Sequence, residues 1–198
     1  TDLTVNANGV NFADNFTSVP TAGADGQASV SSAYVLSVIE GTDSGLVDTE
    51  TNNSVFLFLE SDVVVGREGT DATDAERGDA VFNVSVTATT GLVSLDQIRA
   101  VKHTDANDHD SSISLSSDAI SLTRTDTITD GDGDTNTGSD IIGIGSNLNF
   151  KDDGPTISVT KTEAAADDLT VDETDLTVNA NGVNFADNFT SVPTAGAD

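Results

Sequence analysis

Short runs of alternating apolar and polar residues set the character of this chain. Tyr34, Leu36 and Val38 alternate with Val35, Ser37 and Ile39. Phe82, Val84, Val86 and Ala88 alternate with Asn83, Ser85 and Thr87, the cleanest period-two stretch present. Val55–Leu59 is apolar on both faces, as a strand in the middle of a sandwich is, and Val63–Val65 follows after a turn. Ile113 and Leu115, then Ile120 and Leu122, extend the theme. Ile142, Ile144, Leu148 and Phe150 line one face of a late strand, and Ile157 and Val159 follow Pro155. Turn residues separate these runs at short intervals, which predicts an antiparallel β-sandwich. One short helix is predicted from Ser94 to about His103. Ser94-Leu95-Asp96-Gln97 has the form of a capping box, and Leu95, Ile98 and Val101 share a helical face.

Charge changes the picture. The 198 residues carry 34 acids against 7 Lys and Arg, a formal net charge of −27. High charge with modest hydrophobicity borders on the composition of disordered chains, but the ordered alternation argues for a folded protein. Asp outnumbers Glu by 27 to 7, and Asp is the acid of turns, its carboxylate held close to the backbone. So many like charges on one small body repel one another, so a cationic partner is expected in the working state. Nucleic acid is excluded as a partner by the same field. With no Cys, neither a disulfide framework nor a thiolate metal site is possible. No apolar run approaches the roughly 20 residues of a membrane span, so no membrane insertion is expected. No basic segment followed by an apolar stretch opens the sequence, so no signal peptide is visible.

The chain also repeats itself. Residues 1–25 and 174–198 are identical, an offset of 173 residues. The pattern is one period of a tandem array plus the start of the next copy, and the period suits beaded globular domains better than solenoid units of about 20–50 residues. The predicted joint is 151–155, Lys151-Asp152-Asp153-Gly154-Pro155, where Gly-Pro punctuates the chain and Pro155 suits the start of a strand. Residues 1–150 then hold most of one sandwich repeat without its first strand, and 156–198 open the next. The alternative, that 155–173 completes the domain made by 1–150, stays open.

Candidate chemistry concentrates in Thr129-Asp130-Gly131-Asp132-Gly133-Asp134-Thr135-Asn136, between two predicted strands. Asp130, Asp132, Asp134 and Asn136 at alternate positions of a Gly-rich turn direct hard oxygen ligands inward, as calcium requires. The first half resembles an EF-hand loop. The second departs from it, with Thr135 where that loop has Gly and Ile141 where it has Glu, so a solvated polar turn is the competing reading. Asp152 and Asp153 at the joint are a second candidate for calcium, with Asp172 and Glu173 as possible partners. Asp71, Asp74, Glu76 and Asp79, with Arg67 and Arg77 between them, read as a solvated loop with local ion pairs. Arg99, Lys102 and His103 read as charge pairing at a helix end. Two His do not make a zinc site, and no Gly-x-Ser-x-Gly supports a catalytic triad, so no enzyme is expected.

The order of motifs resembles a known family. Tyr34-Val35-Leu36-Ser37, Ser44-Gly45-Leu46-Val47, Gly91-Leu92-Val93-Ser94-Leu95, Asp96 to His103, Thr129 to Asp134 and Asp152-Asp153-Gly154-Pro155 occur in this order. Together they look like the tandem extender repeats of giant RTX-type adhesins exported by type I secretion in Gram-negative bacteria. The resemblance implies an all-β, enlarged immunoglobulin-like sandwich with one short helix. It also implies a calcium-loaded domain at the bacterial cell surface that projects a distal adhesive region for attachment or biofilm formation. Its partners would be neighbouring identical repeats in the same chain. A multivalent glycan- or self-binding module is the competing expectation, weakened by the scarcity of aromatic residues: one Tyr, eight Phe and no Trp.

Overall fold

The computed structural model describes residues 5–105, 107–161, 169–180, 182 and 184–196. The chain divides into two compact units, the first reaching Asp153 and the second Gly154–Gly196. In the first unit, β1 (Val5–Asn11) leads through a 3-10 turn (Ala13–Asn15) to β2 (Gln27–Ser37). Then come β3 (Thr42–Val47), β4 (Ser54–Glu60), β5 (Val63–Gly69), the helix α1 (Ala72–Ala75), β6 (Ala80–Thr87) and β7 (Leu92–Gln97). The unit closes with β8 (Ser112–Ser114), β9 (Ser121–Asp130), β10 (Thr135–Gly143) and β11 (Asn149–Lys151). The second unit holds β12 (Thr156–Lys161) and β13 (Phe189–Thr194). No helix among the described residues is long and apolar enough to cross a membrane.

The first unit is an antiparallel β-sandwich. One sheet has six strands in the order β1-β7-β6-β5-β4-β3, a second has three in the order β10-β9-β2, and β11 pairs with β8 in a small two-stranded sheet. Five strands of the large sheet follow one another as a meander, which local turns make possible. Between β4 and β5, Ser61 (φ 50°) and Asp62 (φ 69°) form a two-residue connection with both central residues left-handed, the geometry whose twist matches a hairpin. Between β6 and β7, Gly91 (φ +69°) donates its N–H to the Thr87 carbonyl at 3.0 Å. A Cβ there would also lie 2.9 Å from the Tyr34 ring, so Gly91 is required twice over.

Alternation decides what the sheets bury. Tyr34 and Leu36 of β2 and Leu122 of β9 meet Leu57, Val64, Phe82, Val84, Val93 and Leu95 of the large sheet in one core. Val35, between Tyr34 and Leu36, faces water. Phe150 of β11 closes over Phe82 with ring centroids 5.1 Å apart. Each fully buried side chain of this size stabilises the fold by about 1.5–3 kcal/mol relative to exposure.

The helix expected from Ser94 to His103 is not formed. Leu92–Gln97 is strand β7, paired to both β6 and β1, and only α1 is α-helical among the described residues. The period-two pair Val93 and Leu95 points into the core. That burial outweighs the helical spacing of Leu95, Ile98 and Val101, because a lone amphipathic turn cannot bury as much. Asp71, in the segment read as a solvated loop, instead caps α1, accepting from the N–H groups of Thr73 and Asp74 at 2.9 Å.

Candidate functional site

The acidic motif folds as the tip of the β9–β10 hairpin. Asp130 ends β9 and pairs in register with Gln27 at the start of β2. The loop ahead of β2 turns at Gly23–Gly26, where the Gly26 N–H donates to the Gly23 carbonyl at 3.2 Å and Gly26 takes φ +77°. This turn carries Asp25 to the hairpin tip. The approach is close: a Cβ on Gly131 would lie 2.5 Å from the Asp25 carbonyl oxygen, so glycine is needed there for the two loops to meet.

Asp25, Asp130 and Asp132 each offer a carboxylate oxygen within 4.8 Å of the other two. Asp130 is half-buried, and the other two are exposed. The Asp130 carboxylate is held below its ordinary range, first by its interaction with the neighbouring Asp132 side chain and then by surrounding amides. One of those amides is the Asp134 N–H, which donates to Asp130 Oδ1 at 3.0 Å. Oxygens bound to one calcium at about 2.3–2.6 Å can stand as far apart as these, and hard carboxylates are its preferred donors. The remaining positions of a six- to eight-oxygen shell would fall to second carboxylate oxygens, backbone carbonyls and water.

The other expected ligands lie elsewhere. Asp134 contributes its backbone to the turn, and its carboxylate is not in the group. Asn136 sits on β10 with its Oδ1 accepting from the Thr137 N–H at 2.9 Å. Asp152 follows β11, where its N–H donates to the Ser111 carbonyl at 2.9 Å, and its Oδ1 accepts from the Asp153 N–H at 3.0 Å. Neither joins a group of three potential ligands among the described residues. Asp172 lies in the second unit, where its Oδ1 accepts from the Thr174 N–H at 2.8 Å. Asp25 was not a sequence candidate. Its only local signal is the Asp-Gly turn pair, and nothing local announces that β2 will carry it to a hairpin some hundred residues downstream.

A second acidic centre is electrically complete. Asp48, fully buried after β3, accepts a two-pronged bond from Arg99: Nε to Oδ1 at 2.9 Å and Nη2 to Oδ2 at 2.8 Å. Thr51 adds its N–H at 2.9 Å and its hydroxyl at 2.7 Å. Burial pushes the Asp48 carboxyl up, but these hydrogen bonds outweigh it and leave the group below its usual value. Arg99, expected at a helix end, thus pins the β3 and β7 ends of the large sheet together, and it also reaches Glu50 and Asp79. On the small sheet, Arg124 bonds Asp126 at 2.8 Å and holds that carboxyl down at about 2.

A family model described as a domain of unknown function, DUF5801, matches residues 1–143. No curated protein and no solved structure matches the chain.

Proposed function

The chain belongs to the DUF5801 family, and from that premise we propose that it is a structural spacer: a tandemly repeated β-sandwich, stiffened by calcium, in a large surface protein of a bacterium. The observation that carries this reading is the letter-for-letter recurrence of residues 1–25 at 174–198. Serial identical domains set reach or valency, whereas catalysis gains little from unvaried repetition. In this reading the array is exported and holds a distal adhesive region away from the cell.

Calcium is the proposed cation, with Asp25, Asp130 and Asp132 as its nucleus. The convergence of three carboxylates on a surface of net charge −27 supports this. Seven basic residues cannot neutralise 34 acids, so a divalent ion relieves repulsion that the chain's own cations leave standing. An ion bound only by the folded state adds about 3–4 kcal/mol at a hundred to a thousand times its dissociation constant. The absence of Cys suits export and folding outside the cell, where no disulfide is needed.

The test is scattering from arrays of increasing repeat number, with calcium and with EDTA. A spacer lengthens in proportion to repeat number and loses stiffness in EDTA. Arrays that collapse in calcium, or whose length and melting ignore chelation, would overturn the reading.

A further inference from the structure

Residues 1–25 and 174–198 are one sequence in two settings. Around the first Phe pair they fold alike. Asn11 Oδ1 accepts the Ala13 N–H at 2.8 Å, and Asn184 Oδ1 accepts the Ala186 N–H at 3.0 Å. A 3-10 turn follows in each, Ala13–Asn15 and Ala186–Asn188, and both exit into extended backbone, at Phe16 (φ −115°) and Phe189 (φ −126°).

Beyond that point the copies differ, and each makes what the other lacks. Phe189–Thr194 is β13, laddered over all six residues to β12. Phe16–Thr21, the same six letters, belongs to no strand. Conversely, Val5–Asn11 is β1 on the large sheet and Phe12 is 7% exposed, whereas the described residues among 178–184 form no strand and Phe185 is 43% exposed.

We infer that Phe16–Thr21 is a docking edge for a strand of the sequence Thr156–Lys161, and that the folding unit of the array therefore begins near Gly154 and runs through the following copy to the equivalent of Asp153. The occupant is identified by the chain itself, because residues 154–173 stand directly ahead of the second copy and β12 already pairs with that copy's Phe-Thr-Ser-Val-Pro-Thr.

The faces agree. In the first unit Phe16 packs edge-on against Tyr34, ring centroids 6.3 Å apart, and Ser18 lines one groove with Asp126, whose carboxyl it helps to hold down. Residues 16 and 18 thus face the small sheet, and in the extended form that the same letters take in β13 the equivalent of residue 20 shares their face. In the β12–β13 ladder the partners of these three positions are Lys161, Val159 and Ile157. Residues directly opposite on antiparallel strands share a face. A docked strand therefore turns Val159 and Ile157 toward the small sheet and leaves Thr156, Ser158 and Thr160 to solvent. A groove of about 480 Å³ lies there, between the 16–21 segment and a wall that includes Val30 and Ile128. Val30 is 38% exposed in the first unit, and Ile157 and Val159 are 69% and 61% exposed in the second. Docking removes all three from water.

This inference goes beyond the spacer reading. It needs the tandem sequence but not calcium, so chelation and strand docking can fail separately. The experiment adds a copy of residues 154–173 ahead of Thr1 in the full 198-residue chain. Amide exchange is read by NMR, which resolves the two identical segments. Exchange is expected to slow by about tenfold or more at alternate amides of 16–21, those whose N–H faces the docked strand, either Phe16 and Ser18 or Thr17, Val19 and Thr21, and an added segment carrying Ile157→Asp and Val159→Asp is expected to give no slowing. Because the chain has no Cys, register is tested directly. Ser18→Cys with Val159→Cys in the added segment forms a disulfide on oxidation, and Ser18→Cys with Ser158→Cys does not. Unchanged exchange throughout 16–21, or equal cross-linking by both Cys pairs, overturns the inference.

Discussion

Asp48 and the trio Asp25, Asp130 and Asp132 are the same chemical group under opposite arrangements. Asp48 is fully buried, yet it accepts four hydrogen bonds, two of them from a guanidinium. The trio lies at the surface with three carboxylates crowded within 4.8 Å, and among the described residues none of the three is in an ion pair with Lys or Arg. The difference teaches where this protein places its few cations. Arg99 and Arg124 lie on or next to sheet strands, where a planar fork can lock two elements together. The hairpin tip is left to whatever cation the solution supplies.

The largest effect expected from breaking this contrast is at Asp48. Asp48→Ala leaves a largely buried Arg99 without its partner and should cost about 3–5 kcal/mol in urea unfolding. A loss under 1 kcal/mol would mean that Glu50 and Asp79 replace the lost carboxylate. Next is calcium itself. Saturating calcium should add about 3–4 kcal/mol, and Asp25→Asn, Asp130→Asn or Asp132→Asn should each weaken its affinity about tenfold or more by calorimetry. In EDTA the Asp25→Asn and Asp132→Asn variants should be no less stable than the parent, because each removes repulsion. Equal losses with and without calcium would make the trio a purely structural feature.

Acid titration sharpens the comparison further. Asp126 sits at about 2 in the folded protein, below its ordinary 3.8. Its contribution is therefore complete above about pH 4 and is lost as pH falls toward 2, on the order of 1 kcal/mol after allowing for partial exposure. Asp126→Asn should flatten that part of the stability curve, measured by thermal melts across the window. The smallest effect belongs to Glu60–Arg67, a pair at 2.7 Å with Glu60 well exposed. Glu60→Gln should change stability by about 0–1 kcal/mol, and the difference should vanish in high salt.

Much of the sandwich was legible because burial enforces period two. Phe82 and Val84, Tyr34 and Leu36, and the doubly apolar Val55–Leu59 all sit where their alternation places them. β1 was not legible. Val5–Asn11 is not among the strands predicted above; its polar Asn6, Asn8 and Asn11 and Gly9 give little apolar signal, and pairing with β7 makes it a strand. The misread helix shows the same physics in reverse, since Leu95 serves two periodicities and the neighbouring strands decide between them. Of the acidic group at the hairpin tip, the proximity of Asp130 and Asp132 was readable from their spacing within one turn. Asp25 was not, because the β2–β9 register that delivers it is a long-range fact. Asp48 was hidden for a related reason: its partner Arg99 is 51 residues away.

Tyr34 gives the molecule a single natural lamp. It is the one tyrosine in a chain without tryptophan, it is buried at 3% exposure, and its ring meets Phe16 on one side and Arg124 at 5.8 Å on another. Its ultraviolet emission therefore comes from one known spot between the two sheets, beside the start of the 16–21 segment. Closure of the adjacent groove, or release of the Arg124 cation from the ring, would register there as a change in brightness without any added label.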